Sequence, residues 1–128
     1  MDRPLISFIL MCYNQEDYIR DAVAGALAQD YSPLEIIICD DCSGDRTFEI
    51  AQEVISEYHG PHHVRLYRNE NNKGLAGNTN QALGMSRGEL IVLAAGDDIS
   101  LPERTRMIAE AWDNSRRQAL ILCSLFST

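Results

Sequence analysis

The sequence has 128 residues, of which 45% are hydrophobic and 23% are charged, as is typical of one soluble domain with a hydrophobic core. Eleven Lys and Arg against nineteen Asp and Glu give a net charge of −8, which disfavours nucleic acid as a partner because non-specific binding to nucleic acid relies on basic patches. The late apolar run over residues 119–126 is too short to span a bilayer and the N-terminus lacks the layout of a signal peptide, so we expect a cytoplasmic location, or the inner membrane face in a longer protein.

Short apolar runs alternate with segments of helical periodicity along the chain. The pattern predicts strands over residues 5–11, 34–39, 64–67, 90–94 and 119–126, and helices over residues 17–29, 47–58, 78–86 and 102–112. Residues 69–77 have the composition of a loop. This order predicts one three-layer α/β domain over residues 1–128, with a mostly parallel sheet of about five strands and right-handed crossovers.

Polar residues follow three of the predicted strands at the point where each strand ends. Cys12, Tyr13 and Asn14 follow the first strand, the pair Asp40-Asp41 follows the second, and the pair Asp97-Asp98 follows the fourth. Ligands of open parallel α/β sheets bind beyond the carboxyl ends of the strands. The sequence therefore predicts a ligand site at this edge.

The adjacent carboxylates of Asp97 and Asp98 have two interpretations. They could cap the following helix, although one cap would suffice and Ser100 is better placed for a helix that begins at Pro102. Alternatively, they could bind a divalent cation, which would remove a repulsion of about 4 kcal/mol at 4 Å and an effective dielectric near 20. Oxygen ligands favour Mg²⁺ or Mn²⁺, whose shell is completed by water and substrate phosphates. The pair Asp40-Asp41 is similarly either a solvated turn or a group that accepts hydrogen bonds from a base or sugar.

Other chemistries have weaker support. Cys39 and Cys42 form a C-x-x-C motif, but no second pair completes a zinc site, and a redox motif would normally open a helix. His59, His62 and His63 flank Gly and Pro in a loop, and this pattern gives only weak support for metal binding. No glycine follows the first strand, which argues against a nicotinamide dehydrogenase.

Two segments together resemble the family 2 glycosyltransferases of the GT-A fold, over residues 5 to about 108. They are SFILMCYNQEDYIRDAVAGALAQDYSPLEIIICDDCSGDRT and NKGLAGNTNQALGMSRGELIVLAAGDDISLPER. The resemblance implies a Rossmann-like nucleotide-binding domain and a metal-assisted, inverting transfer of a sugar from a nucleotide-diphosphate sugar, commonly a UDP-sugar. It implies Mg²⁺ or Mn²⁺ as cofactor and a saccharide, lipid or protein hydroxyl as acceptor.

The resemblance also implies site residues. It places Met11, Tyr13, Asp41, Lys73, Asn80 and Asp97 in substrate binding, and Asp97 and Asp98 at the metal, with the division between ribose and metal left open. In this alignment Met11, Tyr13 and Asp41 contact the base. Ala95 stands where the family often has the first aspartate of D-x-D, and Thr79 stands at a commonly basic position, which leaves Lys73 as the candidate for the diphosphate.

The chain ends at Thr128, upstream of the acceptor half and catalytic base of the family. We therefore expect a donor-binding half that is inactive by itself, with no catalytic residue among these 128. The alternatives are a non-catalytic nucleotide-sugar-binding or interaction module, and a phospho-accepting receiver domain, which would need its acidic pair after the first strand. Val92, with residues 121, 122 and 125, is expected to form an exposed apolar face that a homodimer would cover.

Overall fold

The computed structural model describes residues 3–115 and Arg117, which form a parallel sheet flanked by helices. The strands are β1 (Ile6–Cys12), β2 (Leu34–Asp40), β3 (His63–Arg68) and β4 (Leu90–Ala95), and the helices are α1 (Ile19–Leu27), α2 (Thr47–Ser56), α3 (Gly74–Met85) and α4 (Arg104–Asn114). The strand order is β3-β2-β1-β4, and every pair is parallel. This confirms the predicted Rossmann-like α/β class with four strands, while the fifth, predicted over residues 119–126, lies outside the described residues.

Both faces of the sheet are buried, which explains why its central strands are almost continuously apolar. On one face Phe8 and Ile36 belong to a large cluster that includes residues of α1, α2 and α4. On the other face Ile9 and Ile37 pack with Ala82 of α3. Within the described part of the chain, no helix is both long and apolar enough to cross a bilayer.

The prediction that Val92 lies on an exposed apolar face is wrong. Val92 is 2% exposed and belongs to the large cluster, together with Ile108 of α4. The next residue, Leu93, is 45% exposed instead. Side chains alternate between the two faces of a strand, so Val92 and Leu93 lie on opposite faces. Leu93 pairs with Ile9 and shares the face on which α3 packs.

Three helices begin at different residues from those predicted, and α1 begins at Ile19 rather than at residue 17. Helix α3 begins at Gly74 rather than at residue 78, because the backbone N–H groups of Lys73 and Gly74 donate to the carboxylate of Asp41 from the loop after β2. Helix α4 begins at Arg104 rather than at residue 102. Ser100 does not cap it, since its hydroxyl oxygen accepts a hydrogen bond from Arg104 Nη1 at 2.9 Å. A contact across the fold thus decides where α3 starts, whereas the Ser100 contact at the start of α4 is local.

A buried glutamate joins the elements at the end of the sheet opposite to the carboxyl ends of the strands. Glu35 Oε2 accepts hydrogen bonds from Ser7 Oγ at 2.5 Å and from the backbone N–H of Arg87 at 2.6 Å, and Arg65 Nη2 lies 3.1 Å from Oε1. Arg65 Nη2 also donates to the carbonyl of Met85, the last residue of α3. Glu35 therefore connects β1, β3 and the segment between α3 and β4.

Replacing Gly25 by alanine should lower the free energy of unfolding by about 1–3 kcal/mol, because overpacking moves the backbone. Helix α1 lies so close to the loop after β4 that a Cβ on Gly25 would lie 2.9 Å from the carbonyl oxygen of Ser100. The matched control is Gly84→Ala in α3, where nothing lies within 4 Å of the added Cβ and helix propensity predicts a gain of up to about 1 kcal/mol. Urea denaturation measures both, and equal effects of the two substitutions would contradict the close approach of α1.

Candidate functional site

A cavity of about 340 Å³ lies at the carboxyl ends of β1, β2 and β4. Its lining consists of Met11, Cys12, Tyr13, Gln15, Asp41, Asn72, Gly74, Leu75, Asn78 and Ala95. The polar residues that follow the strands thus meet at one edge, as parallel strand order requires. Of the site residues that the sequence suggested, Met11, Tyr13 and Asp41 line this cavity.

The wall of the cavity combines apolar groups with one exposed aromatic ring. Met11, Leu75 and Ala95 supply aliphatic surface, and the Tyr13 side chain is 47% exposed. Apolar walls with a few placed polar groups are the usual design of a small-molecule site. A flat ring that enters this cavity could stack on Tyr13 and hydrogen-bond at its edge.

Asp41 is the charged group in the cavity wall, and its position is fixed by three donors. Oδ1 accepts from Asn69 Nδ2 at 2.9 Å and from the Lys73 backbone N–H at 2.8 Å, and Oδ2 accepts from the Gly74 backbone N–H at 2.9 Å. Asp41 is 4% exposed and lies at the N-terminus of α3, where the helix dipole favours negative charge. The site therefore presents a preorganised carboxylate.

The neighbouring Asp40 has a structural role. Its side chain is fully buried and accepts hydrogen bonds from the hydroxyl and backbone N–H of Ser43, and Arg68 Nε lies 3.8 Å from its Oδ2. Asp40 thus holds the turn between β2 and α2, whereas Asp41 faces the cavity. The residue pattern alone did not distinguish these two roles, although the family resemblance implied a binding role for Asp41.

The buried thiols of Cys12 and Cys39 are unsuited to nucleophilic chemistry. Burial, reinforced by the negative charge of Asp40, raises the pKa of Cys12 far above its ordinary value, and burial raises the pKa of Cys39 to about 11. Both thiols therefore stay protonated at neutral pH. Cys42 is half-buried and its sulfur lies 3.5 Å from the carbonyl oxygen of Glu70.

The acidic pair Asp97-Asp98 lies in a tight turn, one residue after the cavity-lining Ala95. The Asp98 N–H donates to the Ala95 carbonyl at 3.0 Å, and Asp98 Oδ2 accepts from the Ala95 N–H at 3.3 Å. Gly96 makes this turn possible, because a Cβ there would lie 2.7 Å from Cys12 Cβ and 2.3 Å from Gln15 Oε1. The close passage of Gly96 against β1 therefore fixes where the acidic turn leaves the lining residue Ala95.

Arg104 is the positive charge that acts on this acidic turn. Its Nη2 donates to the Leu93 carbonyl at 2.8 Å, and Nη1 donates to Ser100 Oγ. Burial lowers the pKa of Arg104, and the negative charge of Asp98 partly opposes that effect. No ion pair within 4 Å involves Asp97 or Asp98 in the part of the chain that the structure describes. The repulsion between the two carboxylates is therefore only partly offset.

The acidic turn fits a cation that shares its shell with a ligand. Among residues 3–115 and 117, no group of three or more His, Cys, Asp or Glu could hold a metal ion. Asp97 is exposed and, among these residues, forms no hydrogen bond, and Asp98 accepts one hydrogen bond, at Oδ2. Two carboxylates with open oxygens match Mg²⁺ or Mn²⁺ that is completed by phosphate and water.

Four of the sequence-suggested residues are not among those that line the cavity: Lys73, Asn80, Asp97 and Asp98. Lys73 is exposed and its Nζ donates to Gln81 Oε1, while its backbone N–H binds Asp41. Asn80 is exposed on α3. The sequence reasoning missed Asn78, which is 2% exposed and lines the cavity, and also Asn72. A run of asparagines was visible as loop composition, but nothing local indicated which of them turn inward.

Comparison with known proteins points to one family. The sequence profile described as "Glycosyl transferase family 2" matches residues 7–126. The putative glycosyltransferase EpsE of Bacillus subtilis is 36% identical over 101 residues, which is 79% of this chain and 36% of EpsE. Escherichia coli WfgD, named as a UDP-Glc:alpha-D-GlcNAc-diphosphoundecaprenol beta-1,3-glucosyltransferase, is 34% identical over 108 residues, 84% of this chain and 40% of WfgD.

A solved structure shows the same fold. Residues 1–349 of S. aureus TarS in complex with UDP-GlcNAc match with a TM-score of 0.75 and 26% identity, over 87% of this chain and 32% of that one. The chain thus spans between about a third and two fifths of the length of these relatives.

Proposed function

Because the chain belongs to glycosyl transferase family 2, we propose that it forms the donor-binding part of an inverting transferase that uses a nucleotide-diphosphate sugar with uracil as its base. The observation that carries this proposal is the arrangement of acidic groups around the cavity. A fixed carboxylate, Asp41, lies in its wall, and the only partly offset pair Asp97-Asp98 comes shortly after the lining residue Ala95 in the sequence. Asp41 suits the base at one end of a nucleoside diphosphate, and the acidic pair suits a cation at the diphosphate end.

The nucleotide base would occupy the cavity. In this proposal the Tyr13 ring stacks on the base, Met11 supplies apolar contact, and Asp41 accepts a hydrogen bond from a base N–H. The apolar wall and the exposure of Tyr13 support the stacking role. The complex of TarS with UDP-GlcNAc and the UDP-Glc donor in the name of WfgD support uracil as the base.

The diphosphate would lie towards the acidic turn. We assign Asp97 to the ribose and the ion, Asp98 to the ion, and Lys73 and Asn80 to the diphosphate side of the nucleotide. When bound, Mg²⁺ or Mn²⁺ would act as a Lewis acid that stabilises the departing nucleotide diphosphate. Because this chain has a net charge of −8, a bound cation would favour the binding of a negatively charged diphosphate.

The acceptor would be a hydroxyl of a saccharide, lipid or protein, and an inverting transfer needs a base that takes its proton. We assign that base to the part of the protein that follows this chain. The relatives EpsE and WfgD are a little more than twice as long as this chain, which leaves room for an acceptor-binding half. This chain by itself is therefore proposed to bind the donor without transferring the sugar.

Calorimetry with UDP tests the proposal. UDP should bind in the presence of Mn²⁺, and EDTA should weaken that binding by about tenfold or more, which corresponds to about 1.4 kcal/mol. UMP is the matched control, because without the β-phosphate it should gain little from the metal. Equal UDP affinity with Mn²⁺ and with EDTA would contradict the assignment of the acidic turn.

A further inference from the structure

Two buried asparagines connect the cavity carboxylate to the sheet. Asn69 Nδ2 donates both to Asp41 Oδ1 and to Asn78 Oδ1, each at 2.9 Å. Asn78 Nδ2 donates to the Cys39 carbonyl at 3.2 Å, and the Asn69 backbone N–H donates to the Asp40 carbonyl at 2.9 Å. Asn69 and Asn78 are 4% and 2% exposed. A continuous set of hydrogen bonds therefore runs from β2 through both amides to Asp41.

The Asn69 amide is oriented so that its nitrogen donates to Asp41 and Asn78, while its oxygen is left unpaired. Asn69 Oδ1 is buried and has no hydrogen-bond partner. The opposite orientation would place that oxygen against the oxygens of Asp41 and Asn78, with no proton between them. The buried amide thus gives both its protons to acceptors and leaves one acceptor unsatisfied, which carries a desolvation penalty. A purely space-filling role would not need this arrangement.

Hydrogen bonds within the protein already occupy most of the acceptor positions of the Asp41 carboxylate. A carboxylate offers about four lone-pair positions for hydrogen bonds. Asn69 and the Lys73 N–H occupy Oδ1, and the Gly74 N–H occupies one position on Oδ2. One position on Oδ2 therefore remains for a ligand in the cavity. Uracil presents a single ring N–H between two carbonyls, whereas guanine presents two adjacent donors that pair best with both oxygens of a carboxylate.

We propose that Asn69 and Asn78 are positioning residues for base selection. Asn78 holds the Asn69 amide, and Asn69 with the Lys73 N–H occupies Asp41 Oδ1. One acceptor position remains on Oδ2, which admits a base with a single ring N–H and disfavours guanine. This inference rests on the proposed function, in which the cavity holds the base. It adds Asn69, which lies outside the cavity lining and acts through Asp41, and Asn78, which lines the cavity and accepts a hydrogen bond from Asn69.

Calorimetry with UDP and GDP at one fixed Mn²⁺ concentration tests the inference. The wild type should prefer UDP by about tenfold or more, the value of one hydrogen bond to a charged group. Asn69→Ala should weaken UDP binding while GDP binding stays equal or improves, so that the preference falls. Asn78→Ala should act in the same direction. Asn71→Ala, an exposed residue of the same loop, is the control and should leave the preference unchanged.

The outcomes separate this inference from the function on which it rests. If the wild type binds neither nucleotide, the proposed function fails, and the inference fails with it. If the wild type prefers UDP and Asn69→Ala weakens both nucleotides in proportion, the role of Asn69 is merely structural and only this inference is overturned. Should the variants not fold, NMR of the ¹⁵N-labelled wild type decides. The Asn69 side-chain amide protons should exchange slowly and shift on addition of UDP; exchange as fast as that of Asn71, or no shift, would overturn the inference.

Discussion

Asp98→Ala should abolish the Mn²⁺-dependent part of UDP binding and leave the binding measured in EDTA unchanged. Asp98 and Asp97 are the two carboxylates with open oxygens in the acidic turn, and the described residues contain no third ligand that could compensate. Loss of one of two protein ligands should leave UDP with the affinity of the metal-free state, a loss of about tenfold or more. Calorimetric titration with UDP in Mn²⁺ and in EDTA measures both parts.

Asp21→Ala is the matched control for Asp98→Ala. It removes the same charge from an exposed position on α1, away from the cavity lining, and should leave both titrations unchanged. If it reduces Mn²⁺-dependent binding as much as Asp98→Ala does, the effect comes from net charge alone. If UDP binding by Asp98→Ala depends on Mn²⁺ as strongly as in the wild type, the assignment of the ion to Asp98 is contradicted.

Glu35→Ala should lower the free energy of unfolding by about 3–5 kcal/mol, because it breaks an ion pair with a buried carboxylate and removes the acceptor of Ser7 Oγ and of the Arg87 N–H. The Glu35 side chain is 2% exposed and binds Ser7 Oγ, Arg65 and the Arg87 backbone N–H. Glu53→Ala is the control, since Glu53 pairs with two arginines but is 52% exposed, and surface pairs contribute about 0–1 kcal/mol. Urea denaturation compares the two variants, and similar losses would contradict the buried role of Glu35.

The contribution of Glu35 should depend on pH. Burial by itself raises the pKa of Glu35, but the hydrogen bonds from Ser7 and the Arg87 N–H, with the charges of Arg65 and Arg87, outweigh burial and leave the pKa below its ordinary value of 4.5. A carboxylate with a lowered pKa in the folded state stabilises the protein fully above its unfolded pKa and loses that effect as the pH falls through the folded pKa. The difference in stability between the wild type and Glu35→Gln should therefore narrow below pH 4.5. A constant difference would show that the charge of Glu35 does not contribute.

Much of the candidate site could be located from local patterns. The apolar runs around Phe8 and Ile36 were readable as strands because both sheet faces are buried. Since all four strands are parallel, the residues after them had to meet at one edge, and Tyr13 and Asp41 do line one cavity there. The start of α3 was misjudged because its N-terminal N–H groups are capped by Asp41, more than thirty residues earlier in the chain.

The sequence by itself determined the fold class and the edge at which polar groups gather, because side-chain periodicity and strand order are local properties of a chain. Only the tertiary structure decided that Asp40 holds a turn while Asp41 faces the cavity, and that Asn69 and Asn78 support it. Adjacent residues of the same type are equivalent in a linear pattern. They become different when one packs against Ser43 and Arg68 and the other receives donors from a helix that follows much later.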